Sequence, residues 1–237
     1  MDLDLAIICL LTFIIHSIDK PAYSVRIAGF QTLLPLCLVL LLAGGCAATK
    51  PAPRATGPGI DVYLIPLDDF SFDLAADLAN SLSQETGLHI RPTVQMGMAN
   101  LSPMPGTTQY ADDDILKKAL LAVPNLPEIR PSTACIVLTQ RDLNTQSRAL
   151  RFVFASHNSQ YRIAVVSSAR LVLGAQPGQL ADPETVRARI KKMVKRSLGD
   201  VYYGYPRSTD LHDLMYSPIM SLDDVDKMGN EFLSAKK

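Results

Sequence analysis

Histidines, cysteines and grouped carboxylates carry most enzyme chemistry, and this 237-residue chain has few of them. Its four histidines are His16, His89, His157 and His212. His212 stands between Asp210 and Asp213; with Asp200 these form the one grouping of ligand-type residues, suited to weak cation binding. His89 opens a strand-like stretch and reads as exposed or structural, and His157 falls in the turn-like His157-Asn158-Ser159. Asp223, Asp224 and Asp226 resemble a weak calcium loop without its glycine and terminal glutamate, so charge at a helix N-terminus is the simpler role. A Gly-x-Ser-x-Gly elbow and a phosphate loop are both absent, which leaves serine hydrolases and nucleotide enzymes without support. From Thr185 to Leu211 the chain has no histidine, glutamate or cysteine.

Formal net charge is zero, tryptophan is absent and aromatics are 6% of the chain, so no nucleic-acid partner is expected. Of the four cysteines, Cys9 and Cys37 fall in an apolar N-terminal region and Cys135 lies in the apolar run from Thr133 to Leu138, where a buried, inert thiol is expected. Cys46 is different. Arg26, the apolar run Leu33 to Leu42 and then Ala43-Gly-Gly-Cys46 have the order of a bacterial lipoprotein signal, with Cys46 as the lipidated residue. That run is too short to span a bilayer, which takes about 20 apolar residues. An ordinary secretory signal is the other reading. An earlier apolar stretch, Leu5 to Ile15, preceded by Asp2 and Asp4, fits either an over-extended start or a second signal.

These observations divide the chain into a targeting region, 1–45, a flexible Ala/Pro/Thr/Gly-rich tether, 46–59, and one domain, 60–237. A lipid anchor makes the membrane a partner and the cell envelope the location. Ala47 and Ala48 lack the acidic residue of inner-membrane retention, which points to the outer membrane, facing the periplasm. Within the domain, Ile60 to Leu67 reads as a strand and Phe70 to Thr86 as a helix ended by Gly87. Leu88 to Val94 is a second strand and Met96 to Thr108 a surface loop. A helix is expected from the acidic start after Gln109 through Val123, then a buried strand over Thr133 to Leu138. Two short strands follow, Arg151 to Ala155 and Arg162 to Ser167. Alternating elements predict an α/β (α+β) domain with a mixed twisted sheet packed against helices.

The last long helix has Asp182 as N-cap and Pro183 at its first position, with Val186, Ile190, Met193 and Val194 on one face down to Gly199. Its other face carries Arg187, Arg189, Lys191, Lys192, Lys195 and Arg196. A solvated charged face is expected there, with anionic lipid or an acidic partner as the functional alternative.

Four stretches resemble the archaemetzincins, a family of zinc metallopeptidases: Ile60 to Leu67 (IDVYLIPL), Gln140-Arg-Asp-Leu143 with Arg151-Phe-Val-Phe154, Ile163 to Leu171 (IAVVSSARL), and Ser221 to Phe232 (SLDDVDKMGNEF). The resemblance implies a zincin-like fold and an HExxHxxGxxH motif on the helix after the Ala-Val-Val-Ser strand. In that motif two histidines one turn apart and a third beyond a glycine bind zinc, and the glutamate acts as general base. The resemblance puts Arg196 and Ser197 at the histidine and glutamate, Asp200 at the second histidine, and Gly204 one residue late for the glycine. Met215 falls one place from the methionine turn, and Leu214 and Leu233 fall where cysteines are expected. Lys195, Arg196, Asp200, His212 and Met215 thus mark a vestigial site, with Lys195 and Arg196 repelling a dication. The expectation is a domain without zinc or another cofactor that binds a peptide or protein or serves structurally. An active peptidase with an unconventional site is the alternative.

Overall fold

Val62–Pro66, strand β1, is buried at every position, which explains why its sequence is apolar throughout instead of alternating. Both of its faces are covered. The computed structural model describes residues 59–146 and 150–233. The targeting region, Cys46 and nearly all of the tether lie outside the described residues.

Helix α1 spans Phe72–Thr86; the Ser71 side chain accepts from the Leu74 amide, and Gly87 ends it at φ 69, a left-handed conformation that glycine adopts without strain. Strand β2 (Ile90–Pro92) follows, then a long loop and the two-residue strand β3 (Tyr110–Ala111). The acidic stretch after Gln109 leads into α2 as expected, which runs over Asp112–Ala122 with a 3-10 turn at Val123–Asn125, where Pro124 interrupts the helical bonding. Strands β4 (Ala134–Thr139) and β5 (Leu143–Asn144) precede β6 (Ala155–Asn158) and β7 (Ile163–Ser167). Helix α3 covers Pro183–Val201, and a short α4 covers Leu222–Lys227.

The main sheet has the order β2-β1-β4-β7-β6. Its neighbours are parallel except β6, which runs antiparallel to β7 and forms the edge. The strand period of two sorts the core. Val62, Leu64, Ile136, Leu138, Ala164 and Val166 pack with the apolar faces of α1 and α3. Tyr63, Ile65, Cys135, Val137, Ile163 and Val165 pack on the opposite side with Ile115, Leu116 and Ala119 of α2. The result is a mixed sheet between helical layers, as expected from the alternation of elements. Cys135 is buried, and desolvation pushes its thiol up to about 12, so it stays protonated and unreactive.

The expected strand from Arg151 to Ala155 is displaced. Only Ala155 belongs to β6, and His157 and Asn158 are strand residues, not turn residues. The turn lies further on: Arg162 sits at φ 51, its amide donates to the Ser159 carbonyl at 3.3 Å, and the Tyr161 amide donates to Asn158 Oδ1. Polar residues are tolerated in β6 because it is an edge strand, paired on one side only.

Candidate functional site

The edge strand β6 and helix α3 flank a cavity of about 760 Å³. Ser156 and His157 reach it from β6, Met193, Arg196 and Asp200 from α3, and Arg207 from the loop beyond. Each element is held by local sequence. Asp182 caps α3 by accepting from the Thr185 amide at 2.9 Å and the Thr185 hydroxyl at 2.6 Å, and Pro183 occupies its first turn. Past its last residue, Gly204 takes φ 68 and lets the chain turn back. Arg207 thereby returns to the helix it has just left and pairs with Asp200.

The polar groups are connected through defined donors and acceptors. The Ser197 hydroxyl donates to the Met193 carbonyl at 2.9 Å, so its contact with His157 Nε2 at 3.0 Å makes that nitrogen the donor. Nδ1 is then the acceptor facing Arg207 Nη2 at 3.4 Å. Asp200 accepts from the Ser159 hydroxyl at 2.7 Å through one oxygen and from Arg207 through the other. Arg196 donates from Nη2 to the Tyr216 carbonyl at 3.0 Å, while its buried Nε has no partner.

Burial lowers the His157 pKa from 6.5 to about 3; Arg207 and Arg196 add to the shift and Asp200 opposes it. The imidazole is therefore neutral at physiological pH. The unfolded chain binds more protons than the folded one below pH 6.5, so stability is full above that value and declines as pH falls toward the folded value. For one such proton the loss reaches about 2 kcal/mol between about pH 8 and pH 5. Urea unfolding across that range should show the decline, and His157→Asn should flatten it; an equal decline in the variant would count against the shift.

Met215 lies beneath α3. A Cβ on Gly199 would sit 2.5 Å from its sulfur and 2.6 Å from the Phe232 ring, so the glycine creates the space that the methionine fills. Met215 and Leu214 are fully buried. Met215 packs against Gly199 of α3, and Arg196 and Asp200 are both at the cavity.

Lys195 is not. It points along another face of α3, where it pairs with Glu85, donates to the Asn230 carbonyl at 2.5 Å and lies 5.6 Å from the centre of the Phe232 ring. One residue along a helix rotates the side chain by about 100°, which separates it from Arg196. Nor does His212 join the cavity: it is exposed, and its amide donates to Asp210 Oδ1 at 2.9 Å. Asp213 is committed to the Met215 amide at 2.9 Å. The cluster of Asp200, Asp210, His212 and Asp213 is not assembled, and among the described residues no group of three or more His, Cys, Asp or Glu is placed to hold a metal ion.

The basic face of α3 is also not a free, solvated surface. Arg189 is buried, forms a two-bond pair with Asp226 at 2.6 Å and donates to the carbonyls of Leu171 and Leu173. Lys192 donates to the carbonyls of Val225 and Met228, and Lys191 pairs with Glu85 at 2.9 Å. Of the six cations, Arg187 is the one held only by an exposed pair, with Asp77 at 3.3 Å. These cations fasten α3 to α1, α4 and the C-terminal segment, which leaves little for anionic lipid. Ser221 and Asp224 form the capping box of α4, and Asp223 pairs with Lys227, so these acids serve the helix.

No family profile and no curated protein sequence matches the chain. Solved structures do. An archaemetzincin from Archaeoglobus fulgidus, complexed with malonate, is 22% identical with a TM-score of 0.57, over 74% of this chain and 98% of its own. An archaemetzincin from Methanopyrus kandleri is also 22% identical, with a TM-score of 0.56 over 78% of this chain and 99% of its own. The fold is archaemetzincin-like. A zinc-dependent peptidase from Methanocorpusculum labreanum shares it at 21% identity and a TM-score of 0.61, over 72% of this chain and 95% of its own. In this archaemetzincin-like domain His157, Ser159 and Arg207 are site residues that the sequence did not single out. For Arg207 a signal exists: it stands three residues after Gly204, the spacing of the family's last histidine from its glycine.

Proposed function

We propose that the chain is a cell-envelope lipoprotein whose archaemetzincin-like domain has lost zinc peptidase chemistry and has kept the cleft for binding. The observation that carries the proposal is the donor set around the cavity. Arg196 stands where the resemblance implies the first histidine, Arg207 follows Gly204 at the third histidine's spacing from the glycine, and a guanidinium has no lone pair to give a metal. Asp200, at the second, is neutralised by Arg207, and Ser197 stands in place of the general base. The one imidazole present, His157, has Nε2 bonded to Ser197 and Nδ1 facing Arg207. These residues do not fit zinc. Two cations near the centre also oppose a dication by Coulomb repulsion.

The scaffold supports binding. Met215 still packs under Gly199, and the edge strand still borders a cavity large enough for several side chains. Anchoring through Cys46 would hold this cleft at the outer membrane, facing the periplasm. Incubating the purified chain with a defined peptide mixture and added zinc tests the reading: mass spectrometry should find peptides retained and none cut. Zinc-dependent appearance of new termini, abolished by chelation, would reject it.

A further inference from the structure

Three cationic side chains are buried in this domain among the described residues: Arg189, Lys195 and Arg196. Two have carboxylates, Asp226 for Arg189 and Glu85 for Lys195. Arg196 has none within ion-pairing distance among the described residues. It is 5% exposed, its Nη2 is met only by the Tyr216 carbonyl, and its Nε is buried and unpartnered. Desolvation and the neighbouring Arg207 lower its pKa to about 10, with Asp200 opposing. Asp200 cannot balance both cations, because Arg207 already takes one of its oxygens. Arg196 is therefore a buried cation without a paired carboxylate among the described residues, although Asp112 and Asp113 also line the cavity, and such a cation costs free energy until an anion pairs with it.

The walls indicate what kind of anion. β6 borders the cavity, and among the described residues its outer edge is unpaired, because its one sheet neighbour there is β7. Such an edge accepts an extended peptide through backbone hydrogen bonds. Ser156 and His157 of this strand line the same cavity as Arg196, so a chain laid along β6 borders the guanidinium. A carboxylate matches a guanidinium with two parallel hydrogen bonds. We infer that the cavity recognises the free C-terminal carboxylate of an extended peptide, seated on Arg196 and paired along β6.

This inference rests on the reading of the cleft as a binding site without zinc, and the test separates the two. The probes are the N-acetylated tetrapeptide Ala-Leu-Ala-Leu as its free acid and the same peptide as its C-terminal amide, titrated into the full chain in detergent. The acid should bind about tenfold or more tightly than the amide, as expected for a charge-assisted pair in place of a neutral one. Arg196→Gln should bring the acid down to the affinity of the amide, with the near-UV circular dichroism unchanged. Equal binding of acid and amide by the unaltered chain overturns the inference, and so does a preference that survives in a folded Arg196→Gln. Absence of binding by either peptide overturns it together with the peptide-binding part of the proposed function. Bound zinc with cleavage would instead defeat the proposed function itself.

Discussion

The combined substitution Arg196→His, Ser197→Glu, Asp200→His and Arg207→His is expected to yield about one bound zinc ion per chain, against none expected for the unaltered chain. The reason lies in how the four positions are held. Arg196 and Asp200 are one helical turn apart and both face the cavity, as paired ligands on a helix must. Gly204, at φ 68, turns the chain so that the residue at 207 meets the residue at 200. Gly199 and Met215 keep the base of the site packed. Restoring only the first three positions should give much weaker binding, because two histidines alone leave the ion short of its usual protein ligands. Zinc titration of the folded variants checks this. A cooperative, folded four-site variant that ignores zinc would show that the site's placement is wrong.

Arg189→Met should lower stability by about 3 kcal/mol, the low end for breaking a buried pair. The arginine is 8% exposed and joins α3 to Asp226 of α4 and to the Leu171 and Leu173 carbonyls. Without it those carbonyls lose their donor. The Asp226 side chain is 43% exposed and stays hydrated, which keeps the loss from being larger. Arg187→Met is the control: its pair with Asp77 is about half exposed on both sides and should contribute under about 0.5 kcal/mol. Urea midpoints measure both. Equal, small shifts would mean that Arg189 is no more than a surface charge.

The contrast between these two arginines shows where reading the sequence stops. On a helix, six cations opposite an apolar stripe look solvated, because nothing local reveals their partners. Lys195 meets Glu85 across 110 residues and Arg189 meets Asp226 across 37. His157 likewise gains its role from Ser197, 40 residues on, and from an edge strand that polar residues disguised as a turn. What local chemistry dictates was legible: the Asp182-Pro183 start of α3, the Gly87 stop of α1, the apolar strands β1, β4 and β7, and the burial of Cys135. The order of those elements carried the fold, and the solved archaemetzincins share it. At the site, the shared face of Arg196 and Asp200 was legible because four residues make about one helical turn. Arg207 was marked only by its spacing from Gly204, and its place beside Asp200 was not legible because it depends on the backbone turn at that glycine.

The most direct measurement is the zinc content of the unaltered full chain, purified without chelator at neutral pH and assayed by elemental mass spectrometry. With guanidiniums at two ligand positions and the carboxylate between them paired, the chain should carry far less than one zinc per molecule. One tightly held zinc per chain, lost together with binding or cleavage of peptides on chelation, would contradict the account.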